Sequence, residues 1–177
     1  MRYIVLYIAM SLDGYLADEA GDVGWLEGDG SDDGHPGSYP AFIRTVDTVV
    51  MGYRTYRKIV TQLSPDSWPY PGKTCYVLTH QRRGFSGGIS FTDRALPELL
   101  TELKQGQGKD IWICGGASVV NQLIGLDLID RFCITVVPVI LGAGIPLFAQ
   151  HDRAVRLKLL STQSYNGMTD LVYERRV

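Results

Sequence analysis

The sequence predicts an α/β domain, a mostly parallel sheet with helices on both faces and an antiparallel hairpin at its end. Three observations predict it. Short runs dense in Val, Ile and aromatic residues alternate with segments of helical period. Those runs lack strict polar–apolar alternation, the pattern of strands covered on both faces. Near the end of the chain Asn166-Gly167, a strong two-residue hairpin signal, separates two further strand-like runs.

Taken in order, Tyr3–Ala9 reads as the first buried strand. The connection from Ala17 to Ser38 is long and Gly-rich, with seven acids between Asp18 and Asp33. Loops of that length in a compact domain are functional lids or disordered segments. Tyr39–Thr45 is a short helix candidate. Asp47–Met51 is the second strand and runs directly into a helix over Tyr53–Val60. Thr74–Leu78 is the third strand. Ala95–Gln105 carries Leu96, Leu99, Leu100 and Leu103 at helical spacing, with Pro97 tolerated in the first turn. Asp110–Cys114 is the fourth strand. Ala117–Ile124 sets Val119, Val120, Leu123 and Ile124 on one helix face. Arg131–Val137 is the fifth strand, and Val155–Tyr165 with Met168–Arg175 forms the hairpin. No internal repeat interrupts this order.

The 177 residues suit one domain, spanning 1–177, and the composition is that of a globular protein at 45% hydrophobic and 20% charged. A formal net charge of −2 lacks the basic excess of a nucleic-acid binder. No stretch approaches the roughly 18 apolar residues of a membrane span. The opening MRYIVLYIAMSLDG reads as a strand ended by Asp13-Gly14 rather than as a leader. Cys75, Cys114 and Cys133 each sit in an apolar run without CxxC spacing, which fits reduced core thiols in the cytoplasm.

Four segments could carry chemistry. In Ile111–Ser118 a strand ends in Gly115-Gly116 and a helix opens with Ala117 and Ser118, exposing backbone N–H groups where the helix dipole is positive. In Val49–Tyr56 a strand again ends in a glycine, Gly52, with Arg54 and Thr55 in the first helical turn, a cation and a hydroxyl suited to phosphate. Leu78-Thr79-His80-Gln81-Arg82-Arg83 ends the third strand in polar and cationic groups. In Ala9–Tyr15 a strand ends in an Asp-Gly turn, where Asp13 either orients a substrate or closes an Asx-turn. Strand ends of this kind line the ligand crevice of open α/β sheets and together favour a phosphate-rich cofactor. Neither GxGxxG after the first strand nor GxxxxGK[ST] occurs, which sets aside the ordinary Rossmann and P-loop patterns. Metal sites find no support. Asp29-x-Ser31-x-Asp33-Gly34 begins like a calcium loop, but Pro40 stands where the bidentate Glu is required. The three histidines are scattered, and no HExxH or GxSxG occurs.

In order and spacing, AMSLDGYLA (9–17), VVMGYRTYRKI (49–59), IWICGGASVVNQLI (111–124) and VVPVILGAGIPLF (136–148) resemble the dihydrofolate reductase superfamily. The branch is the one typified by the reductase domain of the riboflavin-pathway bifunctional deaminase-reductase. No HxE…PCxxC deaminase signature accompanies it. The resemblance implies a dihydrofolate-reductase-like three-layer α/β/α fold, NADPH as cofactor, and hydride transfer to a C=N bond of a heterocyclic, pyrimidine- or pteridine-like small molecule.

By position, Ala9 would face the nicotinamide and Gly14 and Tyr15 would belong to the closing loop. Gly52, Arg54 and Thr55 would hold phosphates, and Leu78 and Thr79 would border the adenosine. Gly115 and Gly116 would lie beside the pyrophosphate, followed by Ala117 and Ser118. Trp25 would lie in the lid near the substrate. The family often has Gly-Arg-x-Thr where this chain has Gly52-Tyr53-Arg54-Thr55, so Arg82 or Arg83 is the candidate for the 2′-phosphate. Asp13 is the first candidate for ordering the substrate and Asp33 the second. The resemblance also implies a homodimer through Phe132–Leu141 and LGAGIPLF. Dihydrofolate reduction, a non-catalytic nucleotide-binding module and a nucleotide-binding transferase are the alternatives.

Overall fold

A computed structural model describes residues 1–32, 34–81 and 87–176. The strands are β1 (Ile4–Ser11), β2 (Tyr15–Ala17), β3 (Val46–Gly52), β4 (Thr74–Leu78) and β5 (Ile89–Thr92), then β6 (Asp110–Gly115), β7 (Arg131–Val137), β8 (Ile145–Pro146), β9 (Leu157–Tyr165) and β10 (Met168–Arg175). The helices are α1 (Tyr39–Phe42), α2 (Tyr53–Lys58), α3 (Leu96–Gln105) and α4 (Ala117–Gly125). Eight strands form one sheet in the order β5-β4-β3-β6-β1-β7-β10-β9. From β5 to β7 every pairing is parallel, so those strands end at one edge. β10 runs antiparallel to both β7 and β9. This is the α/β architecture the sequence predicts.

Burial explains the two layers. Leu96 and Leu100 of α3 and Val119, Val120, Leu123 and Ile124 of α4 turn inward and pack with Ile4, Leu6, Ile8, Ile111 and Ile113 into one core. Burying each such Leu or Ile contributes about 1.5–3 kcal/mol. On the opposite face, α1 and α2 cover Val49, Met51, Cys75, Val77 and Trp112. Tyr7 stacks on Phe42 there at 4.1 Å between ring centroids. The connection from β1 therefore leaves over one face and that from β6 over the other. Adjacent strands whose connections part in this way open a crevice at their carboxyl ends.

Three local differences from the sequence reading have physical reasons. β5 was not expected: Ile89–Thr92 is a four-residue edge strand with every residue half-buried, too short to show a period. The helix expected over Tyr39–Thr45 stops at Phe42, whose carbonyl accepts both the amide and the hydroxyl of Thr45 at 2.8 Å. The helix after β3 stays α-helical only to Lys58 and widens into one π turn over Ile59–Leu63. Among the described residues no helix is long and apolar enough to cross a membrane, and no three or more His, Cys, Asp or Glu side chains gather as a metal site.

Candidate cofactor and substrate site

The glycines at the ends of β3 and β6 bring two strand-to-helix turns together. A Cβ on Gly52 would meet Val119 Cγ2 at 3.4 Å and the Gly116 nitrogen at 3.8 Å. A Cβ on Gly116 would stand 3.3 Å from Thr55 Oγ1. Gly115 has φ +112°, a region side chains rarely adopt, and the Gly115–Gly116 peptide is cis. Gly116 is the N-cap of α4, and among the described residues no side chain caps the helix there. Its first-turn amides and positive dipole end thus open beside the Thr55 hydroxyl, with Arg54 and Ser118 exposed at the rim. A pyrophosphate fits this cradle: bare backbone where a side chain would intrude, N–H donors, a hydroxyl and a cation.

Next to it, Ala9 is half-buried near the end of β1 and pairs with Thr135 of β7. Leu78 ends β4, and the Thr79 hydroxyl accepts the Gln81 amide at 3.1 Å in a local turn. Asp13 is more tightly engaged than an Asx-turn requires. Its Oδ1 accepts from the Ser11 hydroxyl at 2.6 Å and the Leu141 amide at 3.1 Å, and its Oδ2 accepts from the Gly142 amide at 2.8 Å. These donors, Ser11 foremost, hold the carboxyl below its ordinary range. Gly14 follows with φ +89°, and β2 pairs with β8, so Tyr15 lies opposite Pro146. The Asp13 carboxylate thus joins the turn after β1 to the segment after β7.

The connection over 17–38 crosses this edge. On one side Lys58 Nζ, at the end of α2, donates to the Gly21 carbonyl and ion-pairs Asp22 Oδ1, both at 2.6 Å. On the other the Asp29 amide donates to the Asn166 carbonyl at 3.0 Å, at the tip of the β9–β10 hairpin. A Cβ on Gly37 would meet the Tyr165 ring at 2.8 Å. Trp25 is half-buried in the lid, its indole N–H donating to the Asp22 carbonyl at 3.1 Å. Asp33, Arg82 and Arg83 lie outside the described residues.

The structure adds a polar cluster that sequence reading missed. On the face of Ala9, Asp170 of β10 is 5% exposed. Its Oδ1 accepts from the Thr135 hydroxyl at 2.5 Å and the Tyr165 hydroxyl at 3.1 Å. The Tyr7 and Ser38 hydroxyls bond at 2.9 Å, and the His35 ring stacks on Tyr165 at 5.1 Å. Burial pushes the Tyr7 hydroxyl up to about 12, and raises Tyr165 as well, so both stay protonated and polar near neutrality. The sequence signal was an acid, Asp170, set among the apolar Met168, Leu171, Val172 and Tyr173 of the strand MTDLVYER.

Fold and crevice together define a dihydrofolate-reductase-like domain. The chain belongs to the RibD C-terminal domain family, whose model matches residues 2–171. The uncharacterized protein YwjB of Bacillus subtilis (strain 168) is 42% identical over 180 residues, covering 98% of each chain. A solved structure of a putative riboflavin biosynthesis protein from Shewanella sp. PV-4 superposes with a TM-score of 0.85 at 28% identity, covering 99% of both chains. Dihydrofolate reductase from Enterococcus faecalis, solved with NADP(H), shares the fold at a TM-score of 0.68 and 19% identity, covering 99% of this chain and 97% of that one.

Proposed function

We propose that this chain is an NADPH-dependent oxidoreductase that reduces a C=N bond of a small heterocycle, an activity resembling 5-amino-6-(5-phosphoribosylamino)uracil reductase. The observation that carries the reading is that a Cβ on Gly116, at the mouth of α4, would stand 3.3 Å from Thr55 Oγ1, so that only bare backbone fits there beside the hydroxyl. Family membership and the NADP(H) bound to the Enterococcus faecalis enzyme support it.

When bound, NADPH supplies the hydride, and the protein supplies alignment and a dry site. Gly115 and Gly116 would admit the pyrophosphate to the backbone, while the α4 amides of Ala117 and Ser118, the Thr55 hydroxyl and the Arg54 guanidinium would hold it. Gly52 lets the two turns approach. Leu78 and Thr79 would border the adenosine, and Arg82, outside the described residues, would pair with the 2′-phosphate. The small side chain of Ala9 leaves room for a ring at the carboxyl end of β1. Gly14 and Tyr15 form the base of the lid, which carries Trp25 and keeps water from the reacting atoms; Asp33, outside the described residues, is a further candidate for the substrate. Asp13 acts as a positioning residue that fixes the base of that lid.

Free cysteines at 75, 114 and 133 support a reducing, cytoplasmic setting. Leu159, Leu160 and Phe148 are large apolar side chains at 42–51% exposure and support a homodimer that covers them. The test is titration with NADPH and NADH, read by energy transfer from the tryptophans to the nicotinamide. Binding of NADPH weakened by Gly116→Asp or Thr55→Val is expected. Equal indifference to both dinucleotides overturns the reading.

A further inference from the structure

We propose that Asp170 is the substrate anchor of this site, accepting on Oδ2 an N–H from the heterocycle being reduced. This rests on the reductase reading for its setting, but not for the geometry that motivates it.

Asp170 is buried, and its Oδ2 has no hydrogen-bond partner among the described residues. Native proteins leave few buried polar atoms in that state, and those that persist need a reason. The other oxygen is fully used, since Thr135 and Tyr165 both donate to Oδ1. These two bonds fix the carboxylate plane and leave Oδ2 as a pure acceptor. Asp170 lies opposite Thr135 in the β7–β10 register, and Thr135 lies opposite Ala9 in the β1–β7 register. Side chains at paired positions share a face, so all three stand on one side of the sheet. At roughly 4.8 Å per strand, Asp170 is about 10 Å from Ala9, the span of a small heterocycle with its contacts. Ser38 and His35, at the end of the lid, meet this group through Tyr7 and Tyr165.

The chemistry of the acceptor selects the ligand class. A ring N–H or exocyclic amino group is drawn to Oδ2. A carbonyl or phosphate oxygen in the same place meets a lone pair and is repelled. The substrate therefore presents a nitrogen donor edge to β10 while the bond to be reduced lies over β1.

The probes are 2-aminopyrimidine and 2-methoxypyrimidine, similar in shape and differing in the donor. Each is titrated by proton NMR against the wild-type protein and Asp170→Asn, with dinucleotide binding measured in parallel. The wild type is expected to prefer the amine by about tenfold or more, as befits a hydrogen bond to a charged group. In Asp170→Asn the preference disappears while dinucleotide binding is unchanged. Equal binding of the two probes to the wild type, or no binding of either, overturns the assignment without any variant needing to fold. So does a preference that survives in Asp170→Asn. A dinucleotide that fails to bind, with the Asp170-dependent preference intact, removes the reductase reading and leaves the anchor standing.

Discussion

Thr55 Oγ1 stands 3.3 Å from where a side chain on Gly116 would begin, so the first turns of two helices share one wall of the crevice. Even a methyl at 116 presses on that hydroxyl, and a carboxylate there adds charge against any phosphate. Gly116→Ala is expected to weaken NADPH binding about tenfold and Gly116→Asp more, with thermal unfolding little changed. Thr55→Val removes the hydroxyl with little change of shape, and its loss of about tenfold corresponds to one hydrogen bond to a charged group. Fluorescence titration alongside calorimetry checks both.

Asp13 ties residues 11–15 to 141–142 through acceptor bonds alone. Asn at 13 keeps one acceptor oxygen and turns the other into a donor that faces an amide. The folded carboxyl is held below its unfolded value, so its contribution is present above the unfolded pKa and disappears as pH falls through the folded one. Urea midpoints of Asp13→Asn should lie below wild type at neutral pH and converge with it in acid. Slower hydride transfer at saturating NADPH is expected as the base of the lid loosens.

At the opposite edge of the sheet, Arg2 is 6% exposed and donates to the carbonyls of Lys109 and Leu103, to the Thr48 hydroxyl and to Asp47. Arg2→Met leaves these acceptors without that donor and should cost about 2–4 kcal/mol. The Asp47 side chain is 39% exposed, so Asp47→Asn should cost only about 1 kcal/mol. Burial opposes ionisation of Asp47, but the Lys109 amide, the Thr48 hydroxyl and Arg2 outweigh it and hold its pKa down. Its contribution is therefore kept above the ordinary carboxylate range and lost as pH falls through the lowered value. Chemical denaturation across the acid range reads both effects.

Burial pushes the Cys114 thiol up to about 12 and those of Cys75 and Cys133 up to about 11. The thiolate is the reactive form, so alkylation by iodoacetamide near pH 8 should be negligible in the native protein and complete in urea. Mass spectrometry counts the adducts.

Leu160→Lys places a charge among the exposed apolar side chains of β9. It should shift sedimentation from dimer toward monomer without changing dinucleotide affinity. A wild type that sediments as a monomer at high concentration removes the dimer reading.

Much of this was legible in the sequence because the signals were local. The run TCYVL is a strand by composition, and it occupies the expected residues. Asn166 and Gly167 have φ of +46° and +71°, the left-handed pair that a tight hairpin turn requires. Gly115-Gly116 at a strand end predicted bare backbone, and the structure places it against Thr55. What was not legible depends on pairing across distance. Asp170 means little until β10 is set beside β7 and its carboxylate meets Thr135, 35 residues earlier. The bonds of Asp13 to the Leu141 and Gly142 amides likewise reach partners 128 and 129 residues away.

The central position of β1 has a consequence for how the chain folds. Its neighbours in the sheet are β6, where Ile4 pairs with Ile111, and β7, where Val5 pairs with Arg131. Of the strands of this sheet β1 is made first, and more than a hundred further residues must follow before it meets either companion. Until then its run IVLYIAMS stands with both edges open. Non-local pairing of this kind slows folding, and an unpaired apolar strand invites aggregation in the meantime. Soluble yield should depend on cooler synthesis or on chaperones that shelter the amino-terminal strand until residues 110–137 have emerged.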